Sequence, residues 1–169
     1  VDLQAGAVAG DNAFAREHGL AGKFVVSYAG NVGFAQRLDV VIEAANLLRD
    51  DPRILVLVVG GGGAREVLRT QADRLGLPNV RFVDHQPVTR VPEIYAASSV
   101  GIVPLLETIG SDAIPSKVYR IMGASRPLLA IASPSSELAA IVTDAGAGVV
   151  VPPEPTALAA SIRPLVAVD

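Results

Sequence analysis

The sequence predicts an α/β protein built on a doubly wound, six-stranded parallel sheet. Three observations predict it. Apolar runs of strand length alternate along the chain with stretches whose apolar residues recur at helical spacing. Half of the residues are hydrophobic while aromatic residues make up only 4% and Trp is absent, so the core must be Val, Ile, Leu and Ala. Such a core suits parallel strands covered by helices on both faces. The links between runs are a few residues long and rich in Gly and Pro, as consecutive strand–helix units require.

The elements follow in order. Residues 1–22 read as a lead-in holding one short helix, opened by Asp11 and Asn12 and ended by Gly19. Residues 23–29 are the first strand and end at Gly30. Leu38, Val41, Ile42, Ala45 and Leu48 then mark an amphipathic helix over residues 36–49. Residues 53–59 are the second strand, ending in four glycines from Gly60 to Gly63. The next helix stops at Leu75 before Gly76, with Pro78 just beyond. Residues 80–83 form the third strand. A helix over residues 91–97 follows, with Thr89 as its cap and Pro92 in its first turn. Residues 100–105 are the fourth strand and lead to a loop and a helix over residues 116–124. Strand 128–132, helix 136–144, strand 147–151 and helix 156–165 complete the alternation.

Composition excludes several classes of function. A formal net charge of −3 argues against a nucleic-acid surface or a polybasic membrane surface. The absence of cysteine removes disulfides, thiolate catalysis and cysteine-type zinc sites. His18 and His85 lie far apart without metal-ligand spacing, so no metal is expected. No apolar run approaches the roughly 18 residues of a membrane span; the best, Ile54–Val59, is strand-sized. The chain opens at Val1 without an initiator Met and is read as part of a longer protein.

In a doubly wound sheet, ligands bind outside the carboxyl ends of the strands. Three small-residue loops fall there: Gly30 to Gly33, Gly60 to Gly63, and Gly110 to Lys117. Small residues let a phosphate or a ring approach the backbone. None of them is a dinucleotide fingerprint or a Walker loop. The third loop places a cation, Lys117, in the first turn of its helix, where helix polarity disfavours it by roughly 0.3–1 kcal/mol. A ligand phosphate would account for a lysine kept there.

Taken in order, these pieces resemble a known family. They are the Gly30-Asn-Val-Gly33 loop followed by Gln36-Arg-Leu-Asp-Val-Val-Ile-Glu-Ala-Ala45, then Leu57-Val-Val-Gly60 and Leu75-Gly-Leu-Pro-Asn-Val-Arg-Phe82. Pro92-Glu-Ile-Tyr-Ala-Ala-Ser98, Val103-Pro-Leu105, Pro115-Ser-Lys117, Met122-Gly-Ala, Arg126-Pro127 and Ala145-Gly-Ala-Gly-Val-Val-Val-Pro-Pro153 follow. The ordered set resembles the C-terminal, donor-binding half of the retaining GT-B glycosyltransferases of family 4. The Pro-Ser-Lys variant looks most like the branch that adds amino sugars in polysaccharide and lipopolysaccharide assembly.

The resemblance implies a Rossmann-like donor domain over residues 23–169, half of a GT-B fold, with the acceptor domain N-terminal to this chain. It implies a nucleotide-diphosphate sugar, most like a UDP-sugar, as substrate, with no cofactor and no metal. The acceptor would be a glycan or a lipid-linked sugar. The site would be cytoplasmic, peripheral to the inner face of a membrane. Gly30, Asn31, Val32, Gly33, Gln36 and Gly60 would face the diphosphate. His85, Gln86 and Pro87 would receive the base, while Asp112, Ala113, Ile114 and Ser116 would wrap the sugar and phosphates. Arg37 and Lys117 would stabilise the leaving diphosphate, helped by the helix N-terminus at Ser116.

The family pattern is broken at several of these positions. Asn31 and Gln36 stand where the family often has Arg and Lys, and neutral donors bind phosphate about half as strongly as ionised ones. The family's pair of Glu residues reads Asp112 and Arg120 here. Arg has five donors and no acceptor, so Arg120 cannot accept from ribose hydroxyls but can meet a phosphate. Ser125 replaces a common Gly. A degenerate, non-catalytic domain that binds a nucleotide or a protein partner is therefore the rival reading. A sugar-nucleotide epimerase half is weaker, since only His85 and Asp112 would serve it.

Overall fold

Every residue of Ile54–Val59 is buried, which a strand achieves when helices cover both faces of its sheet. The computed structural model describes residues 10–105 and 114–166. Its strands are β1 (Phe24–Ala29), β2 (Ile54–Val59), β3 (Val80–Val83), β4 (Val100–Pro104), β5 (Leu128–Ile131) and β6 (Gly148–Val151). All pair in parallel, in the order β3-β2-β1-β4-β5-β6. The register of β1 on β2 runs from Phe24 opposite Ile54 to Ala29 opposite Val59.

The helices are α1 (Ala13–Glu17), α2 (Asp39–Leu47), α3 (Arg65–Leu75), α4 (Val91–Ala96), α5 (Lys117–Gly123), α6 (Glu137–Asp144) and α7 (Pro155–Val166). Alternation along β1 sends Phe24, Val26 and Tyr28 to one face, with the buried residues of α2, α3 and α7. Val25 goes to the other face, with residues of α1 and α4, and α5 and α6 cover that same side of β4 and β5. The chain winds outward from β1 to β3, returns through α4, and winds outward again from β4. The order therefore reverses between β1 and β4, and a crevice opens there at the carboxyl ends of the strands.

Three details differ from the sequence reading. The first helix is part of the core, because Phe14 and Leu20 are fully buried against Val25, Leu55 and Leu57. Asn12 fastens it twice: its Oδ1 accepts from the Ala15 amide and its Nδ2 donates to the Glu93 carbonyl of α4. The helix expected over residues 36–49 begins only at Asp39. A 3-10 turn, Phe34–Gln36, precedes it, and Arg37 takes a left-handed conformation (φ 46°) that a helix cannot include. Thr89 is not a cap: it lies inside the 3-10 turn Val88–Arg90, and α4 starts from Arg90 without a side-chain cap. Pro92 does sit in the first turn of α4, and Gly76 ends α3 in the left-handed region (φ 59°).

Candidate donor-phosphate cleft

The crevice is a cleft of about 390 Å³. Its base is laid by the loops after β1 and β2, which lie against each other. Gly30 donates to the Val59 carbonyl (3.0 Å), Val32 to that of Gly61 (2.8 Å), and Ala64 back to that of Val32 (3.0 Å). Gly60 makes this approach possible: its φ is +136°, and a Cβ there would run into the Gly30 carbonyl. The glycines thus bring two loops together before they serve any ligand. The Gly33 amide is also taken, donating to Gln36 Oε1 at 3.0 Å. Of the four amides in Gly30 to Gly33, only that of Asn31 lacks a partner among the described residues.

Lys117 enters from the opposite side. α5 packs through Val118 and Ile121 on one face of the sheet, whereas Tyr28 belongs to the core of the other. The two meet over the carboxyl edge, with Lys117 Nζ 3.9 Å from the Tyr28 ring centroid. Burial pushes the Lys117 ammonium down to about 8. No carboxylate pairs with it among the described residues. Arg120, one turn further along α5, lines the same cleft, likewise without an ion-pair partner among the described residues. The described lining contains no Asp or Glu at all. Two cations of the lining thus stand without counter-ions among the described residues.

The remaining walls are mixed. Tyr95, 1% exposed, points its hydroxyl toward the Ala29 carbonyl at 3.5 Å, and burial pushes its pKa up to about 12. Val88, Val91 and Ile94 form an apolar side, and Val88 is 67% exposed at its rim. His85 and Gln86, from the loop after β3, stand beside it. Gln86 accepts from Arg90 through Oε1 and donates to the Asp84 carbonyl, so its amide is held in place.

Nine of the residues expected from sequence meet here: Gly30, Asn31, Gln36, Gly60, His85, Gln86, Ser116, Lys117 and Arg120. Others stand elsewhere. Val32 is fully buried and bridges the two loops, and Pro87 starts the 3-10 turn before α4. Gly33 and Ile114 do not line the cleft; Ile114 packs on the core behind it. Arg37 is the plainest departure. Its left-handed backbone aims it out of the cleft, where its guanidinium donates to both carboxylate oxygens of Asp39 at 3.0 Å. Asp112 and Ala113 lie outside the described residues. Sequence reasoning missed Tyr28, Tyr95, Val88, Val91 and Ile94. Only Tyr28 carried a signal, as the large residue two places before Gly30, which follows β1.

The model of a protein family described as glycosyl transferases group 1 matches residues 11–167. The chain belongs to this family. WcaI of Escherichia coli (strain K12), named as a colanic acid biosynthesis glycosyl transferase, is 34% identical over 143 residues, covering 83% of this chain and 35% of WcaI. WbjE of Pseudomonas aeruginosa, named as a glycosyltransferase, is 28% identical over 149 residues, 88% of this chain and 37% of its own length. This group 1 chain therefore spans about a third of the curated relatives it matches.

Among solved structures, Anabaena Alr3699/HepE in complex with UDP and glucose superposes with a TM-score of 0.73 at 21% identity, over 91% of this chain and 41% of that one. WaaG, a glycosyltransferase involved in lipopolysaccharide biosynthesis, gives 0.70 at 22% identity over 90% and 40%. These likenesses show the fold: the six-stranded Rossmann-like domain of GT-B glycosyltransferases.

Proposed function

We propose that this chain is the donor-binding domain of a glycosyltransferase and that its cleft holds the diphosphate of a nucleotide sugar, of the UDP-sugar class. The observation that carries this reading is the half-buried Lys117 ammonium beside Arg120, at the point where strand order reverses, in a described lining free of carboxylates. When the bond between the sugar and the diphosphate breaks, negative charge grows on the departing phosphate oxygens. A preorganised ammonium in a partly dry cleft stabilises that charge without reorganising. Arg120 offers planar donors to the same phosphates. The apolar side made by Val88, Val91 and Ile94, with His85 and Gln86 next to it, suits a base ring. Arg37, tied to Asp39 outside the cleft, has no part in this reading.

The finer reading is transfer with retention of a hexosyl or N-acetylhexosaminyl group to a glycan or lipid-linked acceptor on the cytoplasmic side of a membrane. It rests on membership of the family and on the HepE complexes, which hold UDP with glucose and UDP-glucose. The acceptor would be bound by a part of the protein outside this chain. No helix among the described residues is long and apolar enough to cross a membrane.

Titration with UDP, GDP and ADP, followed by backbone amide NMR, tests the donor reading. Saturable shifts at Gly30, Asn31, His85, Gln86, Lys117 and Arg120 for one nucleotide are expected. Absence of saturable shifts with all three, in this chain and in the longer protein, overturns it.

A further inference from the structure

We infer that Tyr28 is a positioning residue that holds the Lys117 ammonium over the loop after β1, so that this one ring sets where the cleft presents that positive charge. The inference rests on the proposed phosphate role of Lys117 but concerns a residue that this role does not require. Tyr28 is 1% exposed and its ring is fixed in the core formed by β1, α2 and their neighbours. Its hydroxyl donates to the Asn31 carbonyl at 2.6 Å, which ties the ring to the loop that it underlies. Its face meets Lys117 Nζ at 3.9 Å, within the range where an aromatic face attracts a cation.

A lysine has four rotatable side-chain bonds and three donors with no fixed plane. Left to itself, a lysine without a counter-ion would swing toward water. Here no described carboxylate restrains it, and among the described residues its ammonium rests on the face of the Tyr28 ring. The position of Gly30 fits the same arrangement: a Cβ there would stand 3.2 Å from Lys117 Nζ, close enough that the ammonium would have to shift by a few tenths of an ångström. Tyr28 therefore serves twice. It anchors the first loop through its hydroxyl and the α5 lysine through its face, so the two sides of the crevice keep a fixed spacing.

The test uses Tyr28→Leu, Tyr28→Phe and Lys117→Met, with the double variant Tyr28→Leu/Lys117→Met. Affinity for UDP is measured by calorimetry, and the Lys117 side-chain CH2 protons next to the ammonium are followed by NMR. If Tyr28 acts through Lys117, Tyr28→Leu weakens UDP about tenfold in the wild-type background, and when Lys117 is already Met it adds only the small loss that Tyr28→Phe shows through the missing hydroxyl. Tyr28→Phe, which keeps the ring, recovers most of that loss. The Lys117 protons are displaced upfield by the ring current in wild type and in Tyr28→Phe, and return to ordinary values in Tyr28→Leu. Equal losses in both backgrounds, or wild-type protons at ordinary shifts, overturn the inference. Should Tyr28→Leu fail to fold, the wild-type and Tyr28→Phe shifts decide it. A wild-type chain that shows the upfield shift but binds no UDP supports the role of Tyr28 while counting against UDP as the ligand.

Discussion

The proposed donor site turns on Lys117, whose environment works against its own charge. An ordinary lysine titrates near 10.5, whereas burial lowers this one to about 8. Between those values the unfolded chain binds the proton more tightly than the native one. Stability should therefore rise with pH from about 8 toward 10, by up to about 3 kcal/mol from this group. The groups sharing the cleft are Arg120, His85, Tyr28 and Tyr95. The two tyrosines, pushed upward by burial, stay neutral across this window. An anionic ligand reverses the sign, because it needs the ammonium. Nucleoside diphosphate affinity should fall above about pH 8, approaching tenfold per unit, as calorimetry in buffers of different pH would show. Lys117→Met removes a half-buried charge that has no counter-ion among the described residues. We expect the ligand-free variant to be more stable than wild type at pH 7 by about 1–3 kcal/mol in denaturant melts, while losing phosphate affinity. Equal or lower stability in that variant would mean that the ammonium is well satisfied without ligand. A site that costs stability is a common mark of function.

At the scale of elements, the crevice depends on loops that serve first as structure. Val32 is buried and bonded at both its amide and its carbonyl, and Gly60 is needed so that one turn can lie on the next. Helix α1 belongs to this level too. Phe14 packs fully buried against Val25, Leu55 and Ile94, and Arg90 stands 5.4 Å from its ring centroid. Phe14→Ala should cost about 3–5 kcal/mol, and Asn12→Ala about 1–2 kcal/mol through loss of the cap and of the bond to α4. Urea unfolding measures both, and a near-neutral Phe14→Ala would return this helix to the status of a detachable lead-in. Glu17 adds to the same seam: its bond with Arg90 lowers its pKa, and the pair ties α1 to the start of α4.

At the scale of the whole molecule, the chain spans about a third of the length of its curated relatives. We expect it to bind a nucleoside diphosphate yet transfer no sugar from a labelled donor, with transfer appearing only in the longer protein. Transfer by these 169 residues alone would refute the division of labour proposed above. The fold was legible because strand and helix periods depend only on neighbours in the chain. The buried run Ile54–Val59 and the stop at Gly76 are local events, and each stands where local chemistry puts it. Lys117 and Gly30 were legible as members of loops at the carboxyl edge for the same reason. What the sequence could not decide is direction. Arg37 and Arg120 look equally suited to a phosphate in one dimension, but a left-handed backbone turns the first out to Asp39 while α5 turns the second into the cleft. The meeting of Tyr28 with Lys117 joins residues from opposite faces of the sheet, 89 positions apart in sequence. Local periodicity determined the strands, the helices and the edge where a ligand would bind. Only long-range packing, which brings β1 beside β4, decided which charge that edge presents and which ring holds it.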